Sequence, residues 1–138
     1  MRITHVAGVT PIVHDGKAGA AFYRDALGLP LQGDDDYLSS DAVPGARHLG
    51  VWPLSMAART CFGSDAWPAD RPIPQATIEF DVATPAEVAE AADELQAAGY
   101  ELVHPAKEEP WGQTVARLQD PAGLLIGISH TPWQHEAT

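Results

Sequence analysis

The sequence predicts an α+β fold of two βαβββ modules, whose cupped mixed sheets surround a pocket. Three observations predict it. Two segments carry apolar residues at helical spacing, each follows a β-rich segment, and each is followed by three short extended segments separated by Pro- and Gly-rich turns. The order β-α-β-β-β therefore occurs twice in 138 residues, which is the pattern of an internal duplication.

The first module is predicted over residues 1–54. It starts with a strand at His5–Val13, and the spacing of apolar residues predicts a helix over Lys17–Leu27 that ends at Gly28. The three extended segments that follow are Leu29–Leu31, Tyr37–Asp41 and His48–Leu54.

The second module is predicted over residues 75–131. Its helix, Pro85–Ala98, has the stronger signals, because Thr84 can cap the N-terminus and Glu87 stands at the capping-box position. The strands are predicted at Ala76–Val82, Tyr100–Val103, Thr114–Leu118 and Leu124–Ser129.

The segment between the modules, residues 55–74, is interpreted as a linker. It contains Pro68, Pro72 and Pro74, and only Met56–Arg59 favours a single helical turn. Residues 132–138 are interpreted as a C-terminal tail, so the chain as a whole forms one domain.

Composition limits the possible partners. The net charge of −11 repels phosphate backbones and anionic lipids, so neither nucleic acid nor a membrane is an expected partner. The sequence contains neither a membrane-length apolar run nor a signal peptide, and its one cysteine, Cys61, excludes an intrachain disulfide. We therefore expect a cytoplasmic protein.

Three motifs resemble those of the vicinal oxygen chelate superfamily, which includes glyoxalase I, extradiol dioxygenases and the fosfomycin- and bleomycin-resistance proteins. They are the helix-to-strand segment Ala21–Leu29, the turn and strand Asp120–Ile126, and the Pro-Trp-Gly segment Glu109–Thr114. The resemblance implies two cupped sheets that face each other around a ligand, within one chain or across a homodimer. We expect a homodimer.

The resemblance also implies a metal ligand, His or Glu, on the first and last strand of each module. Counting from the motifs places these four positions at Gly8, Gly50, Thr77 and Gly127. Divalent metals at such a site need histidine nitrogen or carboxylate oxygen, which none of the four residues supplies. We therefore expect no metal at the usual place and no cofactor.

A displaced metal site built on His48 and Glu79 is an alternative. Both side chains should point inward by strand parity, but two ligands fall short of the three that a catalytic site normally uses. His5 lies three residues before Gly8, so parity predicts that it faces the helix side or the rim of the sheet.

Strand parity also selects the residues that should line the pocket. From the first module His48 and Trp52 should point inward, and from the second Thr77 and Glu79 should do so. The full set of predicted ligand-binding residues is His48, Trp52, Thr77, Glu79, Trp111 and Gln113. Arg117 can pair with Asp120 or Glu79, or bind an anionic substrate, while Trp133 is expected to brace the partner module or a partner chain.

Three functions compete. The favoured one is a metal-independent protein that binds, and sequesters, a drug-like or natural-product molecule, for which the acidity suits a cationic ligand. The second is a metal-free acid–base enzyme, such as an isomerase or cyclase, with Glu79 and His48 as candidate catalytic residues. The third is a metal-dependent lyase or dioxygenase, which the missing ligands disfavour.

Overall fold

A computed structural model describes residues 1–135. The strands are β1 (His5–Val13), β2 (Gln32–Asp34), β3 (Tyr37–Ser40), β4 (Leu49–Pro53), β5 (Ala76–Asp81), β6 (Leu102–Glu108), β7 (Thr114–Gln119) and β8 (Leu125–His130). The helices are α1 (Gly16–Ala20), which continues as a π-helical segment over Ala21–Ala26, α2 (Leu54–Phe62) and α3 (Pro85–Ala97). A short 3₁₀ turn follows β8 at Pro132–Gln134.

The eight strands form one mixed sheet in the order β2-β3-β4-β1-β5-β8-β7-β6. Each module pairs its first and last strand in parallel, β1 with β4 and β5 with β8. The modules join within the same chain through the antiparallel pair β1 and β5. The predicted α+β class and duplicated βαβββ order are confirmed.

The helices α1 and α3 cover one face of the sheet, the outer face. Beneath α3 the core consists of Val82, Val88, Ala91, Ala92, Ala116 and Ile128. Beneath α1 it consists of Ala20, Leu31, Leu38 and Val51. The opposite face of the sheet is therefore free to line a pocket.

The predicted linker contains a nine-residue helix, α2, where only one turn was expected. Its small residues pack into a third core cluster, made of Ala57, Ala58, Cys61, Trp67 and Leu125. Leu125 pairs with Thr77 on the inner face, so α2 covers part of that face. The three prolines lie beyond the end of α2, which Gly63 terminates with a φ of +76°, and so they do not oppose the helix.

The strand after each module's helix starts later than predicted. Tyr100 donates its N–H to the Leu95 carbonyl (3.0 Å) and Gly99 donates to Gln96 (3.0 Å), with a φ of +97° at Gly99. This pattern is a Schellman cap, which keeps the backbone near the helix for two more residues. After the first helix Leu29 donates to Tyr23 (3.3 Å), a bond that spans one residue more because the preceding segment is π-helical.

An irregularity in β1 changes the side to which its first residue points. The register between β1 and β5 shifts between Val6 and Gly8, so that His5 pairs with Asp81. Asp81 shares the inner face with Glu79, so of the two positions expected for His5 the helix side is wrong. The rim of the sheet agrees with its place at the first residue of β1. Strand parity fails here because a bulge adds one residue to one of the two strands.

Within residues 1–135, none of the helices is long and apolar enough to cross a membrane.

Candidate functional site

The inner face of the sheet contains a cavity of about 440 Å³. All six residues predicted from sequence to bind a ligand lie around it: His48, Trp52, Thr77, Glu79, Trp111 and Gln113. The wall is completed by ten residues that the sequence did not assign to it, which are Ala7, Thr10, Asp36, Tyr37, Met56, Thr60, Arg117, Thr131, Trp133 and Gln134. Four of the lining side chains are aromatic.

The wall that the first module contributes carries a chain of three hydrogen-bonded side chains. Nδ1 of His48 lies 2.6 Å from a carboxylate oxygen of Asp41, and Nε2 lies 2.5 Å from the hydroxyl of Tyr37. A proton on Nδ1 then faces Asp41, and Nε2 accepts from the tyrosine. The chain connects the pocket with the exposed carboxylate of Asp41, so it is a path along which a proton can move.

Burial raises the pKa of Tyr37 far above its ordinary value, and the negative charge of Glu79 raises this pKa further. A hydrogen bond from Thr10 acts in the opposite direction but is outweighed. The phenol is therefore protonated at neutral pH. It can donate a hydrogen bond or a proton, but it is not a base.

The wall that the second module contributes is centred on Arg117, whose side chain is only 1% exposed. One terminal nitrogen donates to Glu109 (3.1 Å) and contacts Nε2 of His104 (3.0 Å), while the other lies 3.8 Å from Glu79. The guanidinium also lies 5.8 Å from the ring centre of Trp52. Of the alternatives left open, Arg117 pairs with Glu79, and with Glu109 more closely.

His104 supports Arg117 from behind the pocket. The pKa of His104 is lowered from 6.5 to about 4, chiefly by burial. A hydrogen bond to the Pro105 carbonyl opposes this shift, and the charge of Arg117 contributes to it. The imidazole is therefore neutral at physiological pH. Its Nδ1 donates to that carbonyl (2.7 Å), which leaves Nε2 to accept from Arg117.

Gln113 joins the residues of this wall. Its side-chain nitrogen donates to Glu79 (3.1 Å) and to Thr131 (3.2 Å), while its oxygen accepts from the indole N–H of Trp111 (2.9 Å). Gln113 is buried, whereas Trp111 is half exposed. One amide thus holds both a carboxylate and an aromatic ring at the pocket.

The four positions where the superfamily places metal ligands do not fit a metal ion. A Cβ on Gly50 would lie against the Tyr37 hydroxyl and 2.8 Å from its Cζ, and a Cβ on Gly127 would lie 3.0 Å from Cγ of Glu79. Tyr37 and Glu79 therefore occupy the space into which ligands at these positions would project. Gly8 and Thr77 likewise supply no nitrogen or carboxylate ligand.

Two polar atoms of pocket-lining residues lack a hydrogen-bond partner among residues 1–135. They are the hydroxyl oxygen of Thr77 and Nε of Arg117, both buried. An unsatisfied buried polar group costs about 1–3 kcal/mol, so most buried polar groups in proteins are paired. Their coincidence at one cavity is the pattern expected where a ligand completes the polar network.

Tyr37 and Trp133 line the pocket but were not predicted to do so, for two different reasons. Tyr37 could have been found, because Leu38 is a buried core residue under α1 and the neighbour of an outward residue points inward. Trp133 was expected to brace a partner, but it lines the pocket. No local signal predicts this position, because it depends on how the 3₁₀ turn folds back over β1.

Comparisons with known proteins agree with this architecture. A family model described as Glyoxalase/Bleomycin resistance protein/Dioxygenase superfamily matches residues 2–128. None of the curated proteins compared with the chain matches it.

Several solved structures share the fold. A Mn(II)-bound glyoxalase from Novosphingobium aromaticivorans is 22% identical, with a TM-score of 0.61, and the match covers 94% of this chain and 39% of that one. A superfamily member from Vibrio splendidus 12B01 is 15% identical, with a TM-score of 0.56 and coverage of 89% and 96%.

A methylmalonyl-CoA epimerase from Streptomyces coelicolor, in complex with 2-nitronate-propionyl-CoA, is 16% identical, with a TM-score of 0.55 and coverage of 95% and 99%. These identities establish likeness of fold alone. The family model covers nearly the whole chain, and the chain therefore belongs to the glyoxalase/bleomycin resistance protein/dioxygenase superfamily.

Proposed function

We propose that this protein binds a small planar organic molecule in the pocket, without a metal ion at the four positions that the superfamily uses. The observation that carries the proposal is the contact of Tyr37 with Gly50, since the phenol fills the space that a ligating side chain would need. A similar contact between Glu79 and Gly127 supports it on the other wall.

The lining favours a ligand with an aromatic body. Tyr37, Trp52, Trp111 and Trp133 surround the cavity. Flat rings stack on aromatic side chains and gain about 0.5–1.5 kcal/mol per pair beyond the area that they bury. A largely apolar cavity with a few polar groups is also the usual form of a small-molecule site.

The charges favour a cationic or hydrogen-bond-donating group on that ligand. Asp36 and Glu79 line the cavity, and Arg117 already pairs with Glu109 and Glu79. The protein as a whole carries a net charge of −11. A cation is attracted both by this field and by the faces of the aromatic rings.

The test compares two planar three-ring probes of opposite charge, proflavine (a cation) and anthraquinone-2-sulfonate (an anion). Binding is followed by quenching of tryptophan fluorescence and by thermal shift. We expect saturable, one-to-one binding of proflavine at least tenfold tighter than that of the sulfonate, and we expect Glu79→Gln to reduce this preference.

Trp111→Ala should weaken proflavine binding, because half of this ring is exposed at the pocket mouth and its removal leaves the core intact. Phe22→Ala is the matched control, since Phe22 is also about half exposed but lies in the π-helical segment on the outer face. Equal binding of cation and anion, or equal effects of the two variants, would contradict the proposal.

A second candidate function is favoured by the chain of Asp41, His48 and Tyr37. When His48 carries a proton on each ring nitrogen, Nδ1 donates to Asp41 and Nε2 donates to the Tyr37 oxygen, so the phenol O–H is free to point into the pocket. A molecule between Tyr37 and Glu79 can then lose a proton to Glu79 on one face and gain one from Tyr37 on the other, after which His48 returns a proton to Tyr37. This is the chemistry of an isomerase or epimerase. A metal-free acid–base enzyme was also the second function suggested by the sequence, with Glu79 and His48 as candidate catalytic residues, and Tyr37 joins them here.

The measurement that separates the two functions is hydrogen exchange into a bound ligand. For a carbon acid found by the binding screen, an enzyme incorporates deuterium from D₂O, and Tyr37→Phe and Glu79→Gln abolish this while binding persists. A protein that only sequesters its ligand shows binding and no exchange.

A further inference from the structure

A second group of side chains lies at the end of the inner face, next to the pocket but separate from its polar walls. It consists of His5 at the start of β1, Asp81 at the end of β5, and His135 after the 3₁₀ turn. One potential ligand atom from each lies within 4.8 Å of the other two. We propose that these three residues bind a divalent transition-metal ion of the zinc class.

The donor set fits such an ion. Nε2 of His135 lies 2.7 Å from Oδ2 of Asp81, and Nε2 of His5 lies 3.8 Å from the same oxygen. Ligands about 2.1 Å from a metal are separated by about 3.0–3.4 Å in octahedral or tetrahedral geometry. Small rotations of the two partly exposed histidines reach this spacing. Two imidazoles and one carboxylate favour zinc, cobalt, nickel or iron over magnesium and calcium.

Asp81 is held firmly in position. Its Oδ1 accepts from Ser129 (2.7 Å) and Thr131 (3.0 Å), and its Oδ2 accepts from the N–H of Thr131 (2.8 Å). The side chain is completely buried. Metal sites typically orient a carboxylate ligand with hydrogen bonds of this kind.

His5 is oriented in the same manner. Its Nδ1 lies 2.9 Å from the hydroxyl of Thr4, which donates to the backbone carbonyl of Asp81 (3.1 Å). The threonine oxygen can therefore accept a proton from Nδ1, which leaves Nε2 unprotonated for a metal. Without a metal, Nε2–H donates to the side-chain oxygen of Gln134 (2.8 Å). A metal ion would displace this proton, and the same oxygen is placed to act as a fourth ligand.

The site has a consequence for the pocket. Trp133 and Gln134 line the cavity, and His135 follows them directly. An ion held by His135, His5 and Asp81 would tie the segment after β8 to both central strands. It would thereby fix Trp133 at the pocket without contacting the pocket ligand. The ion has a structural role in this arrangement, and the proposal stands independently of the ligand that the pocket takes.

The test uses full-length, tag-free protein that has been treated with a chelator and dialysed. Zinc binding is measured by calorimetry and by elemental analysis after equilibrium dialysis, and cobalt is added as a spectroscopic probe because its visible absorption reports the ligand geometry. We expect one zinc per chain and a cobalt spectrum of a four- or five-coordinate site.

Two variants remove ligands from the partly exposed side of the cluster, His5→Ala and His135→Ala. Each should weaken zinc binding at least tenfold, and the double variant should abolish it. His14→Ala is the matched control, because this histidine is exposed and lies outside the cluster; it should bind zinc like the parent. Circular dichroism establishes that each variant is folded.

The proposal is overturned if the parent protein binds neither zinc nor cobalt at 100 µM, or if the double variant binds as tightly as the parent. Proflavine binding distinguishes this result from a failure of the proposed pocket function. Proflavine is expected to contact Trp111 and Glu79, which lie outside the cluster. The double variant should therefore still bind it saturably, even though Trp133 is no longer held by an ion.

Discussion

The two halves of the molecule share one topology but build different walls for the pocket. In the first half the polar chain from Tyr37 through His48 ends at Asp41, whose side chain is 63% exposed. In the second half the corresponding network is closed, since Arg117 and Glu109 are 1% and 5% exposed. A duplicated fold can thus carry one wall whose polar network reaches solvent and another wall whose charges are buried.

The helices on the outer face differ as well. In α3 three apolar residues, Val88, Ala91 and Ala92, are buried, whereas the π-helical segment after α1 has no buried residue and exposes Phe22. Because packing of an apolar face supplies most of the stability of a short helix, we expect the second half to contribute more to the free energy of unfolding.

The largest predicted effect tests the closed wall. Arg117→Met should lower the free energy of unfolding by about 3–5 kcal/mol, because it leaves Glu109 buried without its main counter-charge. Arg24→Met, which breaks the exposed pair with Asp25 in the first half, should leave it nearly unchanged, because solvent screens an exposed pair. Urea unfolding measures both. If the two variants lost similar amounts of unfolding free energy, the charges of the second half would be no more important for stability than the exposed pair of the first half.

A smaller effect is predicted where glycines face the two walls. Gly50→Ala should cost about 1–3 kcal/mol, because the new Cβ meets Tyr37 and also lies 2.9 Å from the Thr10 hydroxyl. Gly127→Ala should cost less than about 1 kcal/mol, since Glu79 can rotate away. Urea unfolding measures both variants. The expected difference between the two walls is contradicted if Gly127→Ala is less stable than Gly50→Ala.

The buried wall also predicts a pH dependence. His104 has a folded-state pKa of about 4 against an ordinary 6.5, so the unfolded chain binds more protons between these values. Its stabilising contribution is therefore complete above pH 6.5 and is lost as the pH falls towards 4. In His104→Gln the stability should decline less steeply over this range. A decline as steep as in the parent would assign the pH dependence to other groups.

The smallest effects concern the helix caps. Thr84 accepts a hydrogen bond from Glu87 N–H, which is the first half of a capping box. The Glu87 side chain accepts from the N–H of Ala83 (3.1 Å), one residue before the N-cap, in place of the N–H of Thr84. Thr84→Ala should cost about 1 kcal/mol. Asp15 caps the five-residue α1 with a single bond to Lys17. Asp15→Ala should therefore lower the free energy of unfolding by about half as much as Thr84→Ala. Thermal melting of the two variants measures both losses. A larger loss for Asp15 would reverse the expected order of the two halves.

Much of the site was predictable from the sequence because strands alternate strictly between two faces. This rule placed His48, Trp52, Thr77 and Glu79 at the pocket. It failed where the strand is irregular, as at His5, where the bulge in β1 turns the side chain towards Asp81. A bulge depends on the pairing partner, which one strand's sequence does not reveal.

The sequence by itself determined the duplicated βαβββ order, the caps of α3 and the absence of ligating side chains at four positions, since periodicity, capping and residue chemistry act over a few neighbouring residues. Only the tertiary structure decided that α2 lies on the inner face, that Tyr37 fills the space beside Gly50, and that His135 meets His5 and Asp81. These contacts join residues far apart in the chain, and their free energy depends on how all the elements pack together.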